Sequence, residues 1–182
     1  MVYQNVISAV VRALAAENMT DVAACWRDPM AISAARRSGE IVGKDAARLY
    51  DVMVHALLHR SLSAAQWDAL TSKYSTHTER KHAAIARLAK AVVSPAPERF
   101  RHAATVTWAL PKLPGADGKR SINVLPAGWY CMDNWSDDPV PIKTQERWRR
   151  QICRDLERAV DDALTAAQEV LDAEELIVRE VA

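Results

Sequence analysis

A mainly α-helical protein is what this sequence predicts, and three observations carry the prediction. Glycine is scarce at 5 of 182 residues, alanine is abundant, and apolar residues return at intervals of three and four through most of the chain. The expected fold is a multi-helix domain with helix-turn-helix-like elements, room for a small β-hairpin around 105–125, and a long C-terminal helix. Four stretches organise it as one compact unit: a helical subdomain over 1–60, a helix-turn-helix-like region over 61–110, a Pro/Gly/Trp-rich segment over 111–143 and a basic-to-acidic helix over 144–182.

The first helix runs from Val2 to Glu17, with Val6, Val10 and Leu14 on its buried side. Asn18 to Arg37 reads as one or two short helices broken near Pro29. Ser38-Gly39 and Gly43 bracket a turn before a helix over Lys44 to Arg60, whose apolar face carries Leu49, Val52, Val54, Leu57 and Leu58. Ser63-Ala64-Ala65-Gln66 is a capping box, in which the hydroxyl accepts from the N3 amide and the Gln side chain reaches back. It opens a helix holding Trp67, Leu70 and Tyr74. Thr76-His77-Thr78-Glu79 has the same pattern and opens a helix to about Val92, with Ile85, Leu88 and Val92 inward and Arg80, Arg87 and Lys90 outward. Two capped helices joined by Ser75 to His77 make a helix-turn-helix-like pair, an arrangement that also serves ordinary helical packing. Pro95 and Pro97 precede a helix from Glu98 to about Leu110, with Phe100, Val106 and Trp108 inward.

The stretch 111–143 holds five of the eight prolines and three of the five glycines. Asp117-Gly118 is a turn signal between Thr105–Leu110 and Ser121–Leu125, which could pair as a hairpin with Lys112, Lys119 and Arg120 near its tip. A simple connecting loop is the alternative. Trp129, Tyr130, Met132 and Trp135 follow closely and read as a cluster packed beneath the last helix, with base stacking as a second role if they are exposed.

That last helix is expected from Thr144 to about Ala173. Pro139 and Pro141 disfavour helix before it, Thr144 suits the N-cap, and Glu146 suits the first turn. Arg147, Arg150, Arg154 and Arg158 recur at spacings of three, four and four, while Trp148, Ile152, Leu156, Ala159 and Ala163 occupy the opposite face. Guanidiniums outward and a Trp inward is the layout of a nucleic-acid recognition helix, since phosphates and guanine edges both suit forked donors. It is equally the layout of a solvated charged face over a core Trp.

The net charge of +1 hides a segregation. Lys73–Arg120 holds ten Lys/Arg against three acids and Lys143–Arg154 five against one, whereas nine acids face two arginines from Asp155 onward. An anionic partner is expected for the middle of the chain, with another partner or solvent for its end. No apolar run approaches the roughly 18 residues that span a bilayer, and Met1 to Ala16 carries one basic residue, Arg12, so no membrane association and a cytoplasmic location are expected. Cys25, Cys131 and Cys153 are odd in number and widely spaced, which fits a reducing compartment.

No phosphate-binding, dinucleotide-binding, nucleophile-elbow or zincin motif occurs, so neither an enzyme nor a cofactor is expected. His55 and His59 at i and i+4 could share a metal with Cys131 or Cys153, but two half-buried imidazoles are preferred without a Cys-x-x-Cys pair. Asp133, Asp137 and Asp138 raise a magnesium site, against which stands their place in a loop where acids cap or face solvent. No metal is therefore expected.

Trp135-Ser-Asp-Asp-Pro-Val-Pro-Ile-Lys-Thr144-Gln-Glu-Arg147-Trp148-Arg149-Arg150, together with Leu62-Ser63-Ala64-Ala65-Gln66-Trp67-Asp68-Ala69-Leu70, resembles small helical regulators encoded by prophages of proteobacteria. Phage late-gene antiterminators of the Q type and AlpA-like relatives are the families in point. The resemblance covers roughly the last two-thirds of the chain. It implies sequence-specific DNA binding near a promoter and loading onto paused RNA polymerase; the clustered cysteines of zinc-bearing members are absent, so zinc is not implied.

The leading expectation is thus a sequence-specific regulator bound to double-stranded DNA, with RNA polymerase as a second partner. Arg147, Arg149 and Arg150, continued by Arg154, would enter the major groove. Arg80, Lys81, Arg87, Lys112, Lys119 and Arg120 would sit on phosphates, and Thr144 would meet a phosphate at the helix start. The alternative is a non-enzymatic interaction or phage accessory module, in which the half-basic, half-acidic helix pairs with a partner helix or with itself.

Overall fold

Caps and prolines set the element boundaries in the computed structural model, which describes residues 3–16, 44–114 and 121–177. Helix α1 (Val6–Ala16) opens where the Asn5 side chain accepts from the Ser8 N–H at 2.8 Å. Helix α2 spans Lys44–Ser61 and α3 spans Ala64–Tyr74, the latter begun by the full Ser63/Gln66 capping box. Helix α4 (Thr78–Ala91) is capped by His77, whose Nδ1 accepts from the Arg80 N–H, and not by the Thr76/Glu79 box expected from the pattern. Helix α5 (Glu98–Ala109) follows Pro97 and stops before Pro111.

The hairpin forms later than its sequence signal suggested. Thr105 to Ala109 stay helical, because the Thr105 and Thr107 hydroxyls donate back to the Arg101 and Ala103 carbonyls while Val106 and Trp108 enter the core. The pairing falls instead between β1 (Leu113–Pro114) and β2 (Ser121–Ile122), a two-residue antiparallel ribbon with Leu113 opposite Ile122. Two 3₁₀ turns, Ala127–Tyr130 and Met132–Asn134, lead to α6 (Ile142–Ala173). The helices expected within 18–37 and the turn around Gly39 lie outside the described residues.

Helix α6 is the spine of the molecule, 32 residues and so about 48 Å long. Ile152, Leu156, Val160, Ala163, Ala167 and Leu171 form its inward stripe, and α1, α3 and α5 pack against it. Helices α3 and α4, joined by Ser75 to His77, pack closely on each other, and α4 passes contact on to α5. Buried apolar residues of every described helix fall in one cluster running from Tyr3 to Leu171.

The far end of α6 closes with Glu175 at φ 53°. The Leu176 N–H donates to the Leu171 carbonyl at 2.9 Å and the Glu175 N–H to Asp172 at 3.2 Å, a Schellman ending built without glycine. It delivers Leu176 to the chain start, where its carbonyl accepts from the Tyr3 N–H at 3.0 Å. The Tyr3 hydroxyl donates to Asp51 at 2.7 Å and Arg12 pairs with the same carboxylate at 3.1 Å, so one buried acid ties the start of the chain to α1 and α2. No described helix is long and apolar enough to cross a membrane.

Candidate nucleic-acid interface

The first half of α6 is held in place by aromatics. Phe100 of α5, fully buried, receives Trp135 edge-on at 5.1 Å between centroids and Trp148 at 5.5 Å. Trp135 is buried and donates its indole N–H to the Trp129 carbonyl at 2.8 Å. Tyr130 bridges the segment, donating to the Leu110 carbonyl at 2.9 Å and accepting from the Leu125 N–H. The expected aromatic cluster therefore packs beneath α6, except that Trp129 stays 36% exposed beside His102.

With Trp148 seated on Phe100, the rotation of α6 is fixed. Arg147, Arg150, Arg154 and Arg158 are all exposed and lie within about 80° of one another around the helix axis. Arg147 and Arg154 make no ion pair or side-chain hydrogen bond among the described residues. Arg150 donates its Nε to the Glu146 carbonyl at 3.3 Å and reaches the Glu146 carboxylate only at 3.8 Å, and Arg158 reaches the half-buried Asp155 at 3.5 Å, both solvent-accessible pairs of small energetic weight. Lys143, four residues before Arg147 and exposed, extends this face by a turn, a member of the row that only its spacing of four marks in the sequence.

Arg149 is placed apart from them. It projects about 200° around the axis from Arg147 and lines a cavity of about 390 Å³ with Lys112, Tyr130 and Trp135. Lys112 lies 5.0 Å from the Tyr130 ring centroid. Thr144 is not the N-cap. Pro141 takes that position, its carbonyl accepting from the Thr144 and Gln145 N–H groups at 2.8 and 3.2 Å. Gln145, buried, also donates to the Val140 carbonyl. The open N–H groups at the helix start are those of Ile142 and Lys143.

Two expected phosphate ligands are engaged inside the protein. The Lys81 ammonium is half-buried and donates to the carbonyls of Lys73 and Ser75, both at 3.3 Å, closing the C-terminus of α3; burial lowers its pKa. Arg87 grips Asp68 with Nε at 2.8 Å and Nη2 at 2.6 Å, a forked bond to a buried carboxylate. Arg80 is exposed on α4. Lys119 and Arg120 lie outside the described residues.

The acids before α6 do not lock the arginine face. Asp137 pairs with Arg99 of α5, and no group of three or more His, Cys, Asp or Glu side chains suited to a metal occurs among the described residues. His55 and His59 stack on each other and stand against Trp67. Cys131 is exposed and Cys153 half-buried, both as free thiols, and burial raises the Cys153 pKa. The chain matches no protein-family model, no curated protein and no solved structure.

Proposed function

We propose that the protein is a sequence-specific regulator that binds duplex DNA through the N-terminal half of α6. The observation that supports this is the exposed row Lys143, Arg147, Arg150 and Arg154, whose carboxylate partner among the described residues is Glu146 alone, 3.8 Å from Arg150. From Arg147 to Arg154 the helix rises about 10 Å, some three base pairs of duplex, and a helix of ordinary width fits the major groove. Arg147, Arg150 and Arg154 would read base edges, and Lys143 with the open amides of α6 would hold a phosphate. Arg149 and Lys112, on their separate side, would meet backbone flanking the groove. Lys81 and Arg87 have no part in this arrangement. The resemblance to phage late-gene antiterminators gives the reading a further form, loading onto RNA polymerase near a promoter with the acidic half of α6 facing the polymerase.

Binding sites selected from random DNA supply the probe. On a selected site, Arg147→Ala, Arg150→Ala and Arg154→Ala should each weaken binding by about 1–3 kcal/mol in gel-shift titrations. Unchanged affinity in all three sinks the proposal.

A second reading, pairing with another copy, has one specific observation in its favour. An antiparallel α6 pair placed about a two-fold axis between Ala159 and Val160 sets Arg147 opposite Asp172, Arg150 opposite Glu169 and Arg158 opposite Asp161. The apolar stripe of α6 lies in the core, so such a pair would be polar and salt-sensitive. Sedimentation at low salt separates the readings: self-association lost in Arg147→Asp and restored by adding Asp172→Arg favours the dimer, whereas that double variant would not regain DNA binding.

A further inference from the structure

Arg149 stands apart from the arginine row and shares its cavity of about 390 Å³ with Lys112, where the end of α5, the 3₁₀ turns and α6 meet. That volume suits a small organic ligand. The rest of the lining is Thr107, Pro111, Tyr130, Met132 and Trp135, and among the described residues no carboxylate lines it.

The uncharged walls are finished internally. The Tyr130 hydroxyl donates to the Leu110 carbonyl at 2.9 Å and accepts from the Leu125 N–H at 3.2 Å. The Trp135 indole donates to the Trp129 carbonyl at 2.8 Å, and the Thr107 hydroxyl to the Ala103 carbonyl at 2.9 Å. These bonds fix the walls before any ligand arrives and spend their side-chain hydrogens, so the side-chain donors left for an occupant are those of Arg149 and Lys112. Lys112 lies over the Tyr130 ring, and neither cation has a carboxylate partner among the described residues. Donors that are all cationic select a negatively charged acceptor. The remaining surface, Pro111, Met132 and the rings of Tyr130 and Trp135, is apolar and suits a flat body, because aromatic rings pack well on sulfur and on other ring edges.

We propose that this cavity binds an aromatic monocarboxylate, with the carboxylate on the Arg149 guanidinium and the Lys112 ammonium and the ring against Met132, Tyr130 and Trp135. A bare inorganic anion would leave the apolar surface unfilled, and an uncharged ring would leave both cations unpaired. Binding itself does not depend on DNA. One consequence does rest on the DNA-binding proposal: an occupied cavity withholds Arg149 and Lys112 from the phosphates, so the ligand antagonises the duplex.

The test is calorimetric titration of the whole protein at low salt with phenylacetate, acetate and 2-phenylethanol. Saturable phenylacetate binding is expected, tighter than either fragment by tenfold or more, and weakened by tenfold or more in Arg149→Gln and in Lys112→Gln. Both side chains are exposed, and either variant that keeps the parent unfolding midpoint is sufficient to read the result. Arg147→Ala/Arg154→Ala, on another face of α6, should bind phenylacetate as the parent does. Absence of saturation up to roughly 10 mM, equal binding of either fragment, or unchanged binding in both cavity variants would each overturn the proposal. In gel shifts on a selected duplex, saturating phenylacetate should weaken the parent's binding by about tenfold and leave Arg149→Gln/Lys112→Gln unaffected. Calorimetric binding without that effect refutes the antagonism alone, whereas no duplex binding at all removes the DNA reading, and the antagonism with it, and leaves the cavity's ligand standing.

Discussion

Lys81 and Arg154 look alike in a charge pattern and do opposite work. Lys81 closes the last turn of α3 through two carbonyls, while Arg154 faces solvent with no ion pair or side-chain hydrogen bond among the described residues. Lys81→Ala should therefore lower folding stability by about 1 kcal/mol and leave DNA affinity within error, and Arg154→Ala should do the reverse. Denaturant unfolding beside gel-shift titration of both variants checks this. Glu157 is a second residue whose chemistry is set by distant groups. Burial alone would raise its carboxyl pKa, but Lys73 and the Trp108 indole donate to it, both at 2.7 Å, and hold the pKa below the ordinary value. A carboxyl with a lowered folded pKa stabilises above its unfolded value, about 4.3, and loses that contribution as the pH falls through the folded one. Urea midpoints should fall more steeply in the parent than in Glu157→Gln as the pH drops from about 5 into the acid range, and parallel curves would refute the assignment.

At the scale of elements, the joint between α5 and α6 governs which way the arginines face. Phe100 is wholly buried between Trp135 and Trp148, so Phe100→Ala should cost about 3–5 kcal/mol in denaturant unfolding and also weaken DNA binding, because the rotation of α6 loses its seat. A variant that loses stability at saturating folded fraction without losing affinity would separate the two. Much of this level was legible in the sequence. The Ser63/Gln66 box, the inward stripe of α6 and the outward arginines follow from local spacing, and local spacing is what helices obey. Boundaries were less legible where two residues compete for a cap: His77 displaces Thr76, and Pro141 displaces Thr144. The ribbon shifted past Pro111 because the threonines of α5 bond back along their own helix. Least legible were the partners of Arg87 and Lys81. Asp68 lies nineteen residues from Arg87 and meets it only once α3 and α4 fold together, so no periodicity could distinguish an arginine held internally from one left outward.

On the scale of the whole molecule, α6 is an electrostatic rod, with Lys143 to Arg158 along one half and Asp161, Asp162, Glu169 and Asp172 along the other, all exposed or half-buried. A duplex laid lengthwise on it would set phosphates over four carboxylates, so the proposed complex must bring DNA across the basic half alone. With three phosphate contacts, from Lys143, Arg149 and Lys112, affinity should fall by roughly one and a half orders of magnitude between about 50 and 200 mM salt. Geometry then makes a sharper statement. Asp161 stands about 10 Å along the axis from Arg154, near one Debye length at physiological salt, whereas Asp172 stands about 27 Å away and is screened. Asp161→Asn should therefore tighten DNA binding slightly at low salt, and Asp172→Asn should leave it unchanged. Equal tightening by both changes in salt-dependent titrations would mean that the duplex runs the length of the helix, and the groove-reading arrangement of Arg147, Arg150 and Arg154 would have to be given up.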